Sequence, residues 1–266
     1  MGPLTNKVAM VTGATKMKGL GKAVADKLIQ AGATVVVTGR EKSIGGAEEV
    51  VAALKEQGGS AMAVSVDVAF PEQVSAAVAK VTETHGGIDI LINNAGIGVG
   101  SAVFTENDDR AWDANYAVNV KGTMAMCRGV LPSMIERGGG SIVNVASIAG
   151  LGANPGMPYP YTATKFALVG VSKQLALEYA SRGVRVNVVA PGAIATDMLI
   201  EAYKAIADAE GISIEDAAKM ENASIPSGRP AEPGEIADAV VWFAGPASAY
   251  VTGVALPVAG GMSPGI

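Results

Sequence analysis

Short, nearly continuous apolar runs alternate along the first half of the chain with longer stretches in which apolar residues recur at helical spacing. Lys7 to Thr12 (KVAMVT) is such a run and stops at Gly13; from Gly19 onward LGKAVADKLIQAG reads as a helix closed by Gly32. Thr34 to Thr38, Ala61 to Val66 and Ile88 to Asn93 repeat the strand pattern. Ser43 to Gly58 and Pro71 to His85 repeat the helical one, the second with proline at its start. Strands that are apolar throughout need cover on both faces, and helices between successive strands run them parallel. The pattern predicts an α/β, doubly wound sheet.

The second half continues it. Asp108 to Arg137 reads as one long helix or two abutting ones, ended by Gly138-Gly139-Gly140. Ser141 to Val145 is a strand, Tyr159 to Arg182 a helix stopped by Gly183, and Val184 to Ala190 a strand closed by Pro191-Gly192. Between Thr196 and Arg229 the pattern weakens into two helical pieces, Met198 to Ala209 and Ser213 to Asn222, so residues 197–228 are the candidate for a mobile lid. Pro233 to Ala244 is the last helix and Val251 to Val258 the last strand. With no repeat or linker, residues 1–266 are expected to form one domain.

Composition narrows the function. The chain is 49% hydrophobic, enough for a sizeable core, and carries a net charge of −5 with no basic run, which gives nucleic acid or anionic membrane no footprint. One cysteine, Cys127, and one histidine, His85, rule out a disulfide framework and argue against a Cys/His metal site. No export signal opens the chain, and Pro, Gly or charge interrupts every apolar segment before it could span a bilayer. A soluble, cytoplasmic protein is expected.

Two stretches carry candidate chemistry. Thr12-Gly13-Ala14-Thr15-Lys16-Met17-Lys18-Gly19-Leu20-Gly21 lies between a strand and a helix, where backbone N–H groups and the helix dipole suit a pyrophosphate. Tyr161 and Lys165 stand four apart in the first turns of a helix and so share a face. A neighbouring ammonium is expected to lower the phenol's pKa and fit it for acid/base work on an alcohol or ketone.

With Asn93-Asn94-Ala95-Gly96, Ser147 and Pro191-Gly192, these motifs resemble the short-chain dehydrogenase/reductase family over nearly the whole chain. The resemblance implies a Rossmann-like domain with a seven-stranded parallel sheet, order 3-2-1-4-5-6-7, and helices on both faces. A shorter glycine loop is usual there; here five residues separate Gly13 from Gly19, which enlarges the loop and leaves open which of Thr15, Lys16 and Met17 meets the cofactor.

The implied cofactor is NADP(H), held by Gly13, Thr15, Lys18, Gly19, Leu20 and Gly21 in the loop. Gly39 stands where NAD-users carry an acid, and the guanidinium of Arg40 next to it suits a 2′-phosphate. Asp67 and Val68 match the adenine contact; Asn93, Ala95 and Gly96 match the turn beside the ribose. Pro191, Gly192, Ile194 and Thr196 match the segment over the nicotinamide. Tyr161 is implied as the acid or base, Lys165 as its modulator and a ribose contact, Ser147 as hydrogen-bond donor to the substrate oxygen, and Asn119 as holder of a relay water.

The resemblance thus implies interconversion of a ketone and a secondary alcohol on a small molecule. A hydroxysteroid-like substrate is one reading, from the apolar lid residues Met198, Leu199, Ile200, Tyr203 and Ile206 with Met157 and Tyr159. A 3-oxoacyl thioester on acyl carrier protein is another, its acidic carrier meeting Arg128, Arg137 and Lys173. A nucleotide-sensing protein without turnover is a third, against which stands the presence of serine, tyrosine and lysine. Assembly as a dimer or tetramer is implied through the long fourth and fifth helices and the apolar end, Val254 to Pro264.

Overall fold

The computed structural model describes residues 2–262. Seven parallel strands form one sheet in the order 3-2-1-4-5-6-7: β1 (Val8–Val11), β2 (Thr34–Gly39), β3 (Ala61–Ser65), β4 (Ile90–Asn93), β5 (Gly140–Val145), β6 (Val184–Pro191) and β7 (Ala255–Val258). Side chains alternate between the faces along each strand. Ala9, Val11, Val35, Val37, Ile90, Ile92 and Val143 pack under α1 (Leu20–Gln30), α2 (Ile44–Glu56) and α9 (Pro233–Ala244). Met10, Val36, Val64, Leu91, Ile142 and Val186 pack under α3 (Pro71–His85) and α5 (Thr123–Glu136), with α6 (Tyr159–Tyr179) contributing Ala176. Both faces are therefore core, which is why β1 and β4 are buried at every position.

Local chemistry sets the helix ends. Pro71 opens α3 and Gly86, at φ 78°, closes it; Glu232 and Glu235 form a reciprocal capping box at α9. Cys127 on α5 is buried against β4, where Asn93 Nδ2 approaches its sulfur at 3.5 Å and burial pushes the thiol to about 12.

Two expectations change. The last strand begins at Ala255, because Gly253 sits at φ 78° and side chains of Arg185 and Asn187 take the Val251 carbonyl that a ladder would use. Asp108 to Arg137 is continuous but not uniform: α4 (Asp109–Asn115) widens into a π-helical segment, Tyr116–Gly122, before α5. The expected lid holds two helices, α7 (Asp197–Glu210) and α8 (Ile214–Ala223), joined by the Tyr203 hydroxyl donating to Asn222 Oδ1 at 2.9 Å. Of the apolar end, the residues after 262 lie outside the described part.

Candidate active site

The glycine loop leaves β1 at the carboxyl edge of the sheet, beside the point where the chain order reverses between β1 and β4. Thr12 and Asn94 brace it: the Thr12 hydroxyl accepts from the N–H groups of Asn94 and Ala95, each at 3.0 Å, and Asn94 Nδ2 donates to Thr12 O at 2.9 Å. Gly13, at φ 68°, lies so close to the segment after β4 that a Cβ would come within 2.9 Å of Ala95 Cα; at Gly21 it would come within 2.8 Å of Ala14 Cα. The five intervening residues end in a small turn, closed by Gly19 N–H donating to Lys16 O at 3.0 Å, which leaves Lys16, Met17 and Lys18 exposed. No side chain caps α1 at Gly19, so its first-turn N–H groups remain for an anion. These features fit a dinucleotide phosphate.

Thr15 occupies a notch made by two glycines. A side chain at Gly39 would collide with Thr15 Cγ2, and one at Gly46 with the Thr15 carbonyl. The loop thus excludes an acidic side chain from the end of β2. Arg40, the next residue, is exposed, and its guanidinium has no hydrogen-bond or ion-pair partner among the described residues. Asp67 is half-buried, with Oδ1 accepting from Ala69 N–H at 3.1 Å, while Val68 is buried beneath Gly122. The buried side chain of Asn93 points into the core, Nδ2 donating to Asn144 Oδ1 at 2.8 Å, and Asn94, Ala95 and Gly96 follow it out of β4.

At the carboxyl ends of β5 and β6 the remaining residues converge. Ser147 begins a short turn over Ile148–Gly150, its Oγ accepting from Ala149 N–H at 3.1 Å. A Cβ on Gly150 would lie 2.6 Å from the Lys165 carbonyl, so glycine lets this turn close onto α6 and brings Ser147 to Tyr161. Lys165 is 5% exposed, has no carboxylate partner among the described residues, and donates from Nζ to Val145 O at 3.0 Å. Burial pulls its pKa down to about 8. Its ammonium lies 5.4 Å from the Tyr161 ring centroid. The phenol itself is pushed up by burial, partly opposed by the Ser147 hydroxyl. Burial thus works against the lowering expected from the neighbouring ammonium. Pro191 ends β6; Ile194 bridges to Ala231, and Thr196 Oγ1 makes only a long 3.4 Å bond to Ile194 O.

Asn119 is buried with both amide atoms engaged. Oδ1 accepts from Ile97 N–H at 2.9 Å; Nδ2 donates to Ile97 O at 2.8 Å and to Thr164 Oγ1 at 3.0 Å. Thr164 in turn donates to Tyr161 O at 2.8 Å. Asn115 and Thr164 are members of this network that motif reading passes over, although Asn115 stands at helical spacing from Asn119 and Thr164 lies within the Tyr161–Lys165 motif.

Two residues before Tyr161, the Tyr159 ring stacks edge to face on Phe104 with centroids 5.2 Å apart, and Val103, Met157 and, on α7, Met198 are exposed. Arg137 is not there. It lies at the opposite, amino edge of the sheet, where Nη2 holds Asp89 at 3.0 Å together with Lys7 at 3.3 Å. A hollow of about 680 Å³ at that edge is lined by these side chains and Arg185, which donates to Ser248 Oγ and to backbone carbonyls; it is a junction of the fold remote from Tyr161. Among the described residues, no group of acidic, histidine and cysteine side chains could hold a metal and no helix is long and apolar enough to cross a membrane.

The family model described as short chain dehydrogenase matches residues 7–207. A 3-oxoacyl-[acyl-carrier-protein] reductase of Vibrio harveyi is 39% identical over 259 residues, 97% of this chain and 98% of that protein. Dehydrogenase/reductase SDR family member 4 of Bos taurus is 38% identical over 261 residues, 97% and 88% of the two chains. Among solved structures, L-sorbose reductase from Gluconobacter frateurii, complexed with NADPH and L-sorbose, superposes with a TM-score of 0.91 at 34% identity, covering 100% of this chain and 99% of that one.

Proposed function

Because the chain belongs to the short-chain dehydrogenase family, we propose that it is an NADP(H)-dependent oxidoreductase that interconverts a ketone and a secondary alcohol. The carrying observation is the convergence of Ser147, Tyr161 and Lys165 beside a braced glycine loop. That loop and the Pro191–Thr196 segment would hold a nicotinamide cofactor, which would supply or accept the hydride. In reduction the Tyr161 hydroxyl delivers its proton to the carbonyl oxygen while Ser147 hydrogen-bonds the same oxygen. Lys165 stabilises the phenolate left behind. Burial pushes the phenol up and so favours its protonated form, the form that donates a proton in reduction.

Support for NADP(H) comes from the glycine-only end of β2, the free Arg40 guanidinium and the exposed Lys18. The exposed apolar side chains of Met157 and Tyr159, just before Tyr161 in the chain, and of Val103 and Phe104, the latter stacked on Tyr159, favour a ketone with a sizeable apolar body, the hydroxysteroid-like class. The identity with a 3-oxoacyl reductase supports acyl thioesters equally; with Arg137 at the far edge, Arg128 and Lys173 remain as bases for an acidic carrier. The test is a panel of alicyclic, acyl-thioester and small ketones assayed with NADPH and with NADH. Tyr161→Phe is expected to lower kcat by about 10²–10⁴-fold with NADPH binding retained. Turnover surviving in Tyr161→Phe would overturn the mechanism, and equal efficiency with NADH the role of Arg40.

A further inference from the structure

The geometry points to Asn115 as a positioning residue for Tyr161, acting through residues 97–99. This inference rests on the catalytic reading of Tyr161.

Asn115 is fully buried, the last residue before the π-helical segment. Its Nδ2 donates to Ala111 O, four residues back, at 2.7 Å, and to Val99 O at 2.8 Å. At the other end of the widened turn the Thr123 hydroxyl donates to Asn119 O, again four residues back, at 3.0 Å. Side-chain donors thus bracket the segment at both ends, and the widened turn carries Asn119.

Asn115 and Asn119 grip alternate residues of the segment that follows β4. Asn119 pairs with both peptide groups of Ile97, and Asn115 takes the carbonyl of Val99. Between them lies Gly98, where a Cβ would stand 3.2 Å from Cδ2 of the Tyr161 ring. The two amides act as rungs that hold residues 97–99 flat against the phenol. Releasing Val99 would free the segment to lift and let the ring drift from the position that faces Ser147. Asn119 Nδ2 also reaches Asn115 Oδ1 at 3.4 Å, so the rungs orient one another.

Two variants separate this role from simple support of the helix. Asn115→Ala loses the bonds to Ala111 O and Val99 O together with the longer contact from Asn119 Nδ2. Asn115→Ser keeps a hydroxyl able to reach back to Ala111 O, as Thr123 does to Asn119 O, but too short for Val99 O. The expected result is that Asn115→Ala lowers both melting temperature and kcat, the latter at least tenfold, with KM for NADPH within twofold. Asn115→Ser should recover the melting temperature while kcat stays low and amide exchange over 97–99 stays fast. A kcat that returns together with stability, or never falls, overturns the proposal; if Asn115→Ala does not fold, Asn115→Ser alone decides by the same criteria. Should the wild type reduce no ketone, the catalytic reading fails, whereas unchanged exchange over 97–99 in Asn115→Ser separately refutes the rung.

Discussion

Lys165 is held in the core by a carbonyl instead of a carboxylate, an arrangement that costs stability. Its folded pKa of about 8 lies below the 10.5 of an exposed lysine, so between those values the unfolded chain binds the extra proton and stability rises with pH. Replacing it should therefore stabilise the protein. Lys165→Met is expected to gain about 1–3 kcal/mol at neutral pH, after losing roughly 1 kcal/mol for the bond to Val145, with the gain shrinking as pH rises from 8 towards 10.5. Urea denaturation of both proteins across that range is the measurement; a gain that does not vary with pH would show that the ammonium is not the penalised group. Which residues form the cluster was legible in sequence, since Tyr161, Lys165 and Ser147 sit in spaced motifs. Their titration was not, because burial and the Val145 carbonyl belong to the folded strand packing.

At the scale of elements, apolar runs located six strands to within a residue or two, because a strand buried on both faces leaves a continuous signature. The π-helical segment left none. Its residues, Tyr116 to Gly122, read as ordinary helix, and the features that mark it are side-chain donors at either end, Asn115 and Thr123, and the close packing of Gly122 on Val68. A Cβ at Gly122 would come within 2.8 Å of Val68 Cγ2 and 2.9 Å of Val68 O. Gly122→Ala is thus expected to destabilise by about 1–3 kcal/mol and to weaken cofactor binding by displacing the Val68 wall. Chemical denaturation and a cofactor titration check this together; wild-type values in both would remove the packing argument.

Across the whole molecule, Ser147, Tyr161 and Lys165 gather at the carboxyl edge of the sheet and the Asp89 junction lies at the amino edge. Arg137 illustrates what linear reading misses: it follows a helix whose other end adjoins the site, and a helix of this length separates its ends widely. The outer face of α6 presents Phe166, Gly170 and Leu177 along one stripe, with Leu177 77% exposed. That stripe supports the expectation of a homo-oligomer through the long helices. Leu177→Glu is expected to lower the native mass measured by light scattering while leaving the far-ultraviolet circular dichroism unchanged; an unaltered mass would move the interface elsewhere.

The single thiol equips the protein with its own recorder of opening. Cys127 lies in the layer between β4 and α5, against Asn93, and with its pKa at about 12 it offers almost no thiolate at neutral pH while shut in. An alkylating reagent should therefore mark the molecule only during excursions that part this layer, at a rate proportional to the open fraction. A ligand that binds only the closed form suppresses such excursions by mass action. NADPH at one hundred times its Kd should slow labelling, followed by mass spectrometry, about a hundredfold. A rate indifferent to NADPH would mean that the reagent reaches Cys127 without disturbing the cofactor cleft.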